Sequence, residues 1–215
     1  RIENGKDCNS ILIKRGDTVL NEIRNFEQLF YEGSDHSNEL KVCSEGAFLN
    51  TTSHIAFGLN GADILHGGNY NDTLDGGNHD DILRGRSGDD KLFGSFGHDV
   101  LKGNSGHDNI SGGHGNDSIT GGVGSDTISG GRGSDTINGG SGDDKLIGRK
   151  GDDYFEISTG NDQIKDYNPD LDKILARSIT SDLYIKDHAK GSLITDDSDI
   201  NTLVEGISPS DISLY

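Results

Sequence analysis

Apolar and polar positions recur with a nine-residue period from residue 58 to residue 165. Two consecutive units read GGHGNDSIT (residues 112–120) and GGVGSDTIS (residues 121–129). Eleven units begin with Gly, and a twelfth, residues 157–165, keeps only the second half of the pattern. Position eight is apolar in every unit: Leu65, Leu74, Leu83, Leu92, Leu101, Ile110, Ile119, Ile128, Ile137, Leu146, Phe155 and Ile164.

This pattern predicts an all-β solenoid. Gly dominates positions one, two and four, and it adopts the positive φ that other residues resist. We therefore expect positions one to six to form a tight turn and positions seven to nine a short strand with one inward side chain. Two units complete one coil, so twelve units form six coils, about 29 Å long at ~4.8 Å per coil. The inward side chains form a thin core between two parallel sheets.

Position six is Asp in all twelve units, and units two apart lie above one another. The aspartates therefore form two ladders. The first ladder is Asp63, Asp81, Asp99, Asp117, Asp135 and Asp153, and the second is Asp72, Asp90, Asp108, Asp126, Asp144 and Asp162. Carboxylates stacked every ~4.8 Å repel one another unless a cation lies between them. Calcium fits because it takes oxygens from carboxylates and backbone carbonyls, whereas Mg²⁺ prefers to keep its waters. The gaps within the ladders predict up to about ten Ca²⁺ ions.

Composition and charge strengthen the case for a bound cation. The 215 residues are 30% hydrophobic and carry a formal net charge of -18. Without a cation, such a chain buries too little apolar surface to offset its conformational entropy. About ten Ca²⁺ ions would add ~+20 charges and nearly cancel this charge. The acidic balance also argues against nucleic acid and anionic membranes as partners, because both require basic surfaces.

The sequence contains no pattern typical of an active site or a membrane span. There is no run of 18 apolar residues, no HExxH metalloprotease motif, no GxSxG elbow and no phosphate-binding loop outside the repeat. We therefore expect a non-catalytic module, in which the scattered histidines include five solvated ones at outward or turn positions: His66, His79, His98, His107 and His114. No signal peptide opens the chain, and because it begins with Arg1 we expect a fragment of a larger protein.

The flanking segments, residues 1–57 and 166–215, are expected to cap the ends of the solenoid. In the first segment a strand is favoured at Asn21–Phe30, and Gly33–Lys41 resembles a decayed unit whose Leu40 keeps the apolar position. A separate small domain at residues 1–57 is the alternative. Cys8 and Cys43 either form a disulfide or remain free thiols.

In the C-terminal segment, residues 183–185, 192–195 and 201–204 predict short strands, with a hairpin turn at residues 189–191. Along the repeat, positions seven and nine are expected to point outward. The outward residues Ile64, Ile82 and Val100 would form an apolar stripe, which we expect the N-terminal segment or a partner to cover. The alternative is that these residues reflect strand propensity alone.

The unit resembles the repeats-in-toxin (RTX) nonapeptide, Gly-Gly-x-Gly-x-Asp-x-apolar-x, over about half the chain. The resemblance implies a right-handed parallel β-roll with Ca²⁺ between its turns and irregular β caps at both ends. It implies that the position-six aspartates are ligands, together with the carbonyls of glycines at positions two and four. These glycines are Gly61, Gly68, Gly77, Gly88, Gly97, Gly106, Gly113, Gly115, Gly122, Gly124, Gly131, Gly133, Gly140, Gly142 and Gly151.

Some units depart from the RTX pattern. Tyr70 and His79 replace the position-four Gly, and the position-two Gly is replaced by Leu59, Arg86, Ser95, Asn104 and Arg149. Carbonyl oxygens survive these changes, but the cost of positive φ persists. We therefore expect ions near residues 59–81 to bind weakly or to be missing.

The resemblance also implies a function. It indicates a haemolysin-type module of a secreted toxin, hydrolase or adhesin that folds on Ca²⁺ outside the cell and supports type I secretion, folding and stability. Its partners would be calcium ions, the type I secretion machinery and the rest of the parent chain. The alternative is a carbohydrate-binding or adhesive module similar to those of alginate-modifying enzymes. Its acidic glycan would bind a basic patch: Arg84, Arg86, Arg132, Arg149 and Lys150.

Overall fold

The computed structural model describes residues 11–15, 18–23, 29–32, 38–41, 53–175, 184–188, 191–195, 200–205, 208–212 and 214. Within these segments the regular elements are β-strands and one 3₁₀ turn, Pro209–Asp211. No helix in the described part of the chain has the length and apolar character needed to cross a membrane. Cys8 and Cys43 lie outside the described residues, so the choice between a disulfide and free thiols stays open.

Twenty-one strands follow one another in the segments that the structure describes. They are β1 (Ile11–Arg15), β2 (Thr18–Ile23), β3 (Leu29–Glu32), β4 (Asn38–Lys41), β5 (His54–Phe57), β6 (Ile64–His66), β7 (Thr73–Asn78), β8 (Ile82–Ser87), β9 (Lys91–Phe96), β10 (Val100–Ser105), β11 (Asn109–His114), β12 (Ser118–Val123), β13 (Thr127–Arg132), β14 (Thr136–Ser141), β15 (Lys145–Lys150), β16 (Tyr154–Glu156), β17 (Gly160–Ile164), β18 (Lys173–Leu175), β19 (Tyr184–His188), β20 (Gly191–Thr195) and β21 (Ile200–Glu205).

These strands form two sheets, between which the chain alternates. The first sheet has the order β18-β16-β14-β12-β10-β8-β6-β4-β1-β2. The second has the order β19-β20-β21-β17-β15-β13-β11-β9-β7-β5-β3. Parallel neighbours within the repeat come from units two apart, as in the pairing of Leu101 with Ile119. This confirms that two units make one coil, and the coils stack into a β-solenoid of about seven turns.

The core lies between the sheets and consists of one side chain per unit. All twelve position-eight residues are at most 1% exposed, as predicted. Ala56 continues the column of the second sheet at its N-terminal end, pairing with Leu74. Ile174 and Val204 continue the two columns at the C-terminal end. Burial of one aliphatic side chain contributes roughly 1.5–3 kcal/mol to the stability of the fold. With only one such side chain in each nine-residue unit, the core contributes little for a chain of this length.

The strands are longer than the sequence predicted. A complete strand such as β12 takes positions seven to nine of one unit and positions one to three of the next, so the turn comprises only positions four to six. The expectation of a three-residue strand and a six-residue turn was therefore wrong. Residues with positive φ at position two still pair across the ladder, as Asn104 does with Gly122.

Strands before residue 58 continue both sheets. β4 lies parallel to β6 and pairs Leu40 with Leu65, which is the register predicted for a decayed unit. β1 then runs antiparallel to β4, and β2 antiparallel to β1. The strand expected at Asn21–Phe30 is divided between β2 and β3, and residues 24–28 lie outside the described residues.

The segment after the repeat adds the predicted strands to the second sheet. β19 and β20 pair antiparallel as a hairpin, and β20 pairs antiparallel with β21. β21 lies parallel to β17. On the outer face of the first sheet, Ile64, Ile82 and Val100 are half-buried. The N-terminal side chains that were expected to cover them lie outside the described residues.

Candidate metal centre

The twelve repeat aspartates form the two predicted ladders, and one carboxylate oxygen of each holds adjacent coils together. The backbone N–H of Asp99 donates to Oδ1 of Asp117 at 2.9 Å, and the N–H of Asp117 donates to Oδ1 of Asp135 at 2.9 Å. The same bond recurs along the second ladder, for example from Asp108 to Asp126 at 2.8 Å. The ladder carboxylates are therefore ordered by the backbone itself, and all twelve are at most 3% exposed.

The second carboxylate oxygen, Oδ2, is buried without a hydrogen-bond donor in most turns. Among the described side chains this holds for eight ladder residues: Asp81, Asp90, Asp99, Asp108, Asp117, Asp126, Asp135 and Asp144. A buried anionic oxygen without a partner is costly, because water no longer solvates it. These eight oxygens therefore mark positions where a cation would replace the lost solvation.

The position-one glycines keep space beside these oxygens. A Cβ built on Gly112 would overlap Oδ2 of Asp117 and the carbonyl oxygen of Gly130 in the next coil. A Cβ on Gly121 would meet Oδ2 of Asp126 and the Gly139 carbonyl in the same way. The same pair of a carboxylate oxygen and a next-coil carbonyl oxygen faces one space at seven position-one glycines: Gly58, Gly67, Gly85, Gly94, Gly103, Gly112 and Gly121. Such an all-oxygen donor set is the one that Ca²⁺ prefers. The position-one glycines have no positive φ, so the conformational reason expected for them was wrong and their reason is steric.

Burial raises the pKa of ten ladder carboxyls above 3.8: Asp81, Asp90, Asp99, Asp108, Asp117, Asp126, Asp135, Asp144, Asp153 and Asp162. The pKa rises to about 8 for Asp90, to about 7 for Asp81, Asp99, Asp135 and Asp144, and to about 6 for Asp108, Asp153 and Asp162. Desolvation is the largest cause, and hydrogen bonds to the carboxylate, from the preceding coil or from Ser158 for Asp162, oppose it. The charge of stacked carboxylates raises the pKa further, as Asp72 and Asp108 do for Asp90. Without a cation, the ladder therefore resists full ionisation.

Both ladders extend one residue beyond the repeat. At the N-terminal end of the second ladder, the N–H of His54 donates to Oδ1 of Asp72 at 2.6 Å, and His54 Nδ1 lies 2.9 Å from the same oxygen. At the C-terminal end of the first ladder, the N–H of Asp153 donates to Oδ1 of Asp172 at 2.9 Å. Sequence reasoning missed both residues. His54 stands two units before Asp72 and could have been found by the period, whereas Asp172 is out of register with the period.

The carbonyls expected as ligands at positions two and four point along the stack. The carbonyl oxygen of Gly115, at position four, lies against the Cα of Gly133 in the next coil, where a Cβ would overlap it. The position-two carbonyl of Gly113 lies against Gly131 in the same manner. These carbonyls border the turns but their role as calcium ligands stays a prediction. The position-one carbonyls that face Oδ2 were not among the expected ligands.

Substituted turns keep the RTX-like backbone with one exception. Leu59, His79, Arg86, Ser95, Asn104 and Arg149 all have positive φ, between +74° and +84°. Tyr70 does not, nor does Gly68 in the same turn, and β6 ends at His66 before that turn. The expectation of weak calcium binding near residues 59–81 therefore applies above all to the turn that contains Gly68 and Tyr70, and it stays a prediction.

A second series of hydrogen bonds joins the position-five side chains on the turn surface. The N–H of Asn116 donates to Nδ1 of His98 at 2.8 Å, and the N–H of Ser125 donates to Nδ1 of His107 at 2.8 Å. In the preceding coils, Oδ1 of Asp80 accepts from the backbone N–H of His98 and Oδ1 of Asp89 accepts from the backbone N–H of His107. His98 and His107 were expected to be merely solvated, but each also holds two coils in register.

A cation in the described turns would meet single carboxylates and backbone carbonyls, because no cluster of metal-binding side chains is present there. In the described part of the chain, no three His, Cys, Asp or Glu side chains converge on one point.

The predicted basic patch is divided between the sheets, with Arg84 and Arg86 on β8 and Arg132, Arg149 and Lys150 on β13 and β15.

Comparison with known proteins identifies the repeat. The family model described as the RTX calcium-binding nonapeptide repeat (4 copies) matches residues 57–92, 93–128 and 129–164, which is half of the chain. The chain belongs to the RTX calcium-binding nonapeptide repeat family. RTX repeats are calcium-binding, non-catalytic modules and are typically extracellular.

The solved structures to which the chain is similar include the solution structure of the AlgE6R3 subunit from the Azotobacter vinelandii mannuronan C5-epimerase. The two share 18% sequence identity, the match covers 73% of this chain and 82% of that chain, and the TM-score is 0.23. A TM-score this low does not support a comparison of the two folds. No curated protein matches the chain.

Proposed function

We propose that this RTX chain is a module whose folding is driven by calcium. The observation that carries the proposal is the set of eight buried Oδ2 atoms without a hydrogen-bond donor. Stacking two ladders of carboxylates inside a protein is unfavourable unless positive charge enters with them. When bound, Ca²⁺ supplies that charge and accepts the surrounding oxygens as ligands. Binding energy then becomes folding energy.

The chain's own residues prepare the sites for an oxygen-seeking cation. The Oδ1 hydrogen bonds fix each carboxylate, and the position-one glycines leave Oδ2 and a carbonyl facing the same space. Neither Cys nor a convergent His cluster takes part in the described turns, which disfavours zinc and other metals that prefer sulfur and nitrogen. We expect up to about ten ions, because that number nearly cancels the formal charge of -18.

This chemistry suits a protein that is exported unfolded. In a calcium-poor cytosol the carboxylates would repel one another and keep the chain extended, which a type I secretion channel requires. Millimolar calcium outside the cell would then fold the module on the far side. We propose that the module supports secretion, folding and stability of a larger extracellular protein, such as a toxin, hydrolase or adhesin. The acidic composition and the calcium-binding repeat support this role.

Circular dichroism of the chain, first dialysed free of metal and then titrated with CaCl₂, tests calcium-driven folding. We expect a coil spectrum without metal and a cooperative rise of strand signal with calcium. MgCl₂ at the same concentration is the control and should produce a much smaller change, because Mg²⁺ requires a strict octahedron and retains its waters. Equal strand content with and without calcium would refute the proposal.

A groove on the outer face of the second sheet favours a second candidate function, binding of an acidic glycan. The groove has a volume of about 580 Å³ and crosses β11, β13 and β15. His114, Arg132 and Lys150 occupy adjacent strands in register along it. Gly113 and Gly131 carry no side chain at position two of β11 and β13, whereas Arg149 occupies that position on β15.

The composition of the groove suits a carboxylated sugar chain. Its lining residues include no acidic side chain. Hydroxyl groups of Ser111, Thr127 and Ser129 could bind sugar hydroxyls, and Arg149 Nε already donates to Ser129 Oγ at 2.6 Å. A nucleic acid is a poorer match, since its dense phosphates would meet the acidic turn edges, where Asp80 and Asp89 are exposed.

Calorimetry with a short oligouronate on the calcium-loaded protein tests this second candidate. We expect binding that weakens with salt and is lost in an Arg132→Ala, Lys150→Ala double variant. Arg84→Ala, on the other sheet, is the matched control and should bind as the parent does. Equal binding of a neutral oligosaccharide, or unchanged affinity in the double variant, would exclude the groove as the site.

A further inference from the structure

The ladder turns divide into two groups according to the backbone at position two. In the eight turns whose Asp Oδ2 has no donor, the position-two residue is left-handed, with φ between +78° and +127°. These residues are Gly77, Arg86, Ser95, Asn104, Gly113, Gly122, Gly131 and Gly140. The set includes glycines and residues with side chains. The unpartnered Oδ2 therefore goes with positive φ at position two and not with the type of residue there.

In three other turns a protein donor already satisfies Oδ2. The Gly68 N–H donates to Oδ2 of Asp72 at 2.5 Å. Ser158 Oγ donates to Oδ2 of Asp162 at 2.8 Å, and the Asn168 N–H donates to Oδ2 of Asp172 at 2.8 Å. Each donor belongs to the residue four positions before its aspartate, which is position two of the turn. None of these three donor residues has positive φ.

The sequence explains why two of these turns differ. Tyr70 stands where most other turns have a position-four glycine with positive φ, and its own φ is not positive. Gly68 is therefore not drawn into the left-handed conformation although glycine would permit it. In the last turn Pro169 follows Asn168, and a proline ring pushes the residue before it towards an extended conformation. Asn168 is therefore kept out of the left-handed geometry of the repeat.

We propose that the turns at residues 68–72, 158–162 and 168–172 form without a calcium ion and mark the ends of the metal-binding stack. Asp72 begins the second ladder, Asp162 ends it, and Asp172 ends the first ladder. At these places an N–H or O–H group supplies the positive electrostatic partner that a cation supplies in the turns between them. This inference rests on the proposed function, because it assigns which of its turns bind calcium.

A matched pair of substitutions in the second ladder tests the assignment. Asp→Asn keeps Oδ1 as the acceptor for the preceding coil and removes the anionic Oδ2. Calcium stoichiometry is measured by native mass spectrometry on the full chain. We expect Asp90→Asn to lose one bound ion relative to the parent and Asp72→Asn to lose none, although Asp72→Asn weakens its own turn.

Loss of an ion in Asp72→Asn would overturn the inference while leaving calcium-driven folding intact. If the parent chain binds no calcium, the proposed function itself fails. A crystal structure of the calcium-loaded chain, with ions located by anomalous scattering, decides the matter even if a variant does not fold. An ion on Oδ2 of Asp72, Asp162 or Asp172 would contradict the inference, and ions confined to the intervening turns would support it.

Discussion

At the scale of single residues, glycine has two separate tasks in the RTX unit. At position one it has ordinary φ and leaves space for the Asp Oδ2 and a carbonyl of the next coil, as Gly112 does. At positions two and four, with the exception of Gly68, it adopts positive φ and lets a carbonyl from the preceding coil approach, as Gly122 does with Asn104. The same residue type is therefore required for steric reasons at one position and for both steric and conformational reasons at the others.

Stacked position-two residues provide a sensitive test of this difference. Gly122→Ala would place a Cβ on the Asn104 carbonyl at φ +127°, so we expect the free energy of unfolding to fall by about 1–3 kcal/mol. Asn104→Gly, in the adjacent coil, removes a side chain from φ +78° and should raise it by up to about 1 kcal/mol. Urea unfolding at saturating calcium measures both. A Gly122→Ala variant as stable as the parent would contradict the steric account.

The raised pKa values of the ladder carboxyls predict a pH dependence for the metal-free chain. Since the folded pKa lies above the unfolded value of 3.8, the folded form binds more protons, and stability is present at low pH. That stability is lost as pH rises through about 6 to 8, the range of the pKa values of Asp153, Asp81 and Asp90. We therefore expect metal-free protein to gain strand signal in circular dichroism between pH 8 and pH 5. Identical spectra at the two pH values would show that carboxylate repulsion does not control folding.

At the scale of elements, each strand depends on one buried side chain and on its neighbours in adjacent coils. Strand β12 buries Ile119 completely, whereas Val123 at its end is 61% exposed. Its backbone pairs with β10 on one side and with β14 on the other. Among the described residues, the strand therefore has no backbone hydrogen-bond partners of its own outside these adjacent coils. An RTX strand is therefore stable only as a member of the stack.

Two substitutions in β12 separate core packing from strand propensity. Ile119→Ala should lower the free energy of unfolding by about 2–4 kcal/mol, because neighbouring coils cannot collapse into the cavity. Val123→Ala, in the same strand, should change it by less than about 0.5 kcal/mol. Thermal unfolding in excess calcium measures the difference. Equal effects of the two substitutions would mean that the column of position-eight residues is not the core.

At the scale of the whole molecule, charge is distributed unevenly. The carboxylates lie in the turns at the two edges of the roll, while Arg132, Arg149 and Lys150 lie on the outer face of the second sheet. Repulsion among the twelve ladder carboxylates therefore acts between coils, along the stack. Neutralising the edges would compact the entire repeat and not one local segment.

Small-angle X-ray scattering tests this molecular consequence. We expect the radius of gyration of the metal-free chain at pH 8 to be roughly 50 Å, the value for an unfolded chain of this length. With saturating calcium it should fall towards about 17 Å, the value for a compact chain of this length. Raising NaCl alone should not produce the compact form, because monovalent screening does not supply ligands to buried oxygens. Compaction by NaCl alone would argue for general screening in place of specific binding.

The nine-residue period by itself determined the coil of two units, the inward column and the two aspartate ladders. These features are periodic and local, so each unit repeats the same information, and Leu65 and Ile164 occupy equivalent places near opposite ends of the repeat. The period also marked Tyr70 as a departure, although not its effect on the oxygen of Asp72.

Only the tertiary structure decided how the oxygens of each carboxylate are used. Oδ2 meets a donor in three described turns whose position-two residue lacks positive φ, and Oδ1 accepts from an N–H in the adjacent coil. The same holds for the added ladder residues His54 and Asp172 and for the groove across β11, β13 and β15. Such features arise from the register between coils, where an N–H and an oxygen distant in sequence lie opposite one another.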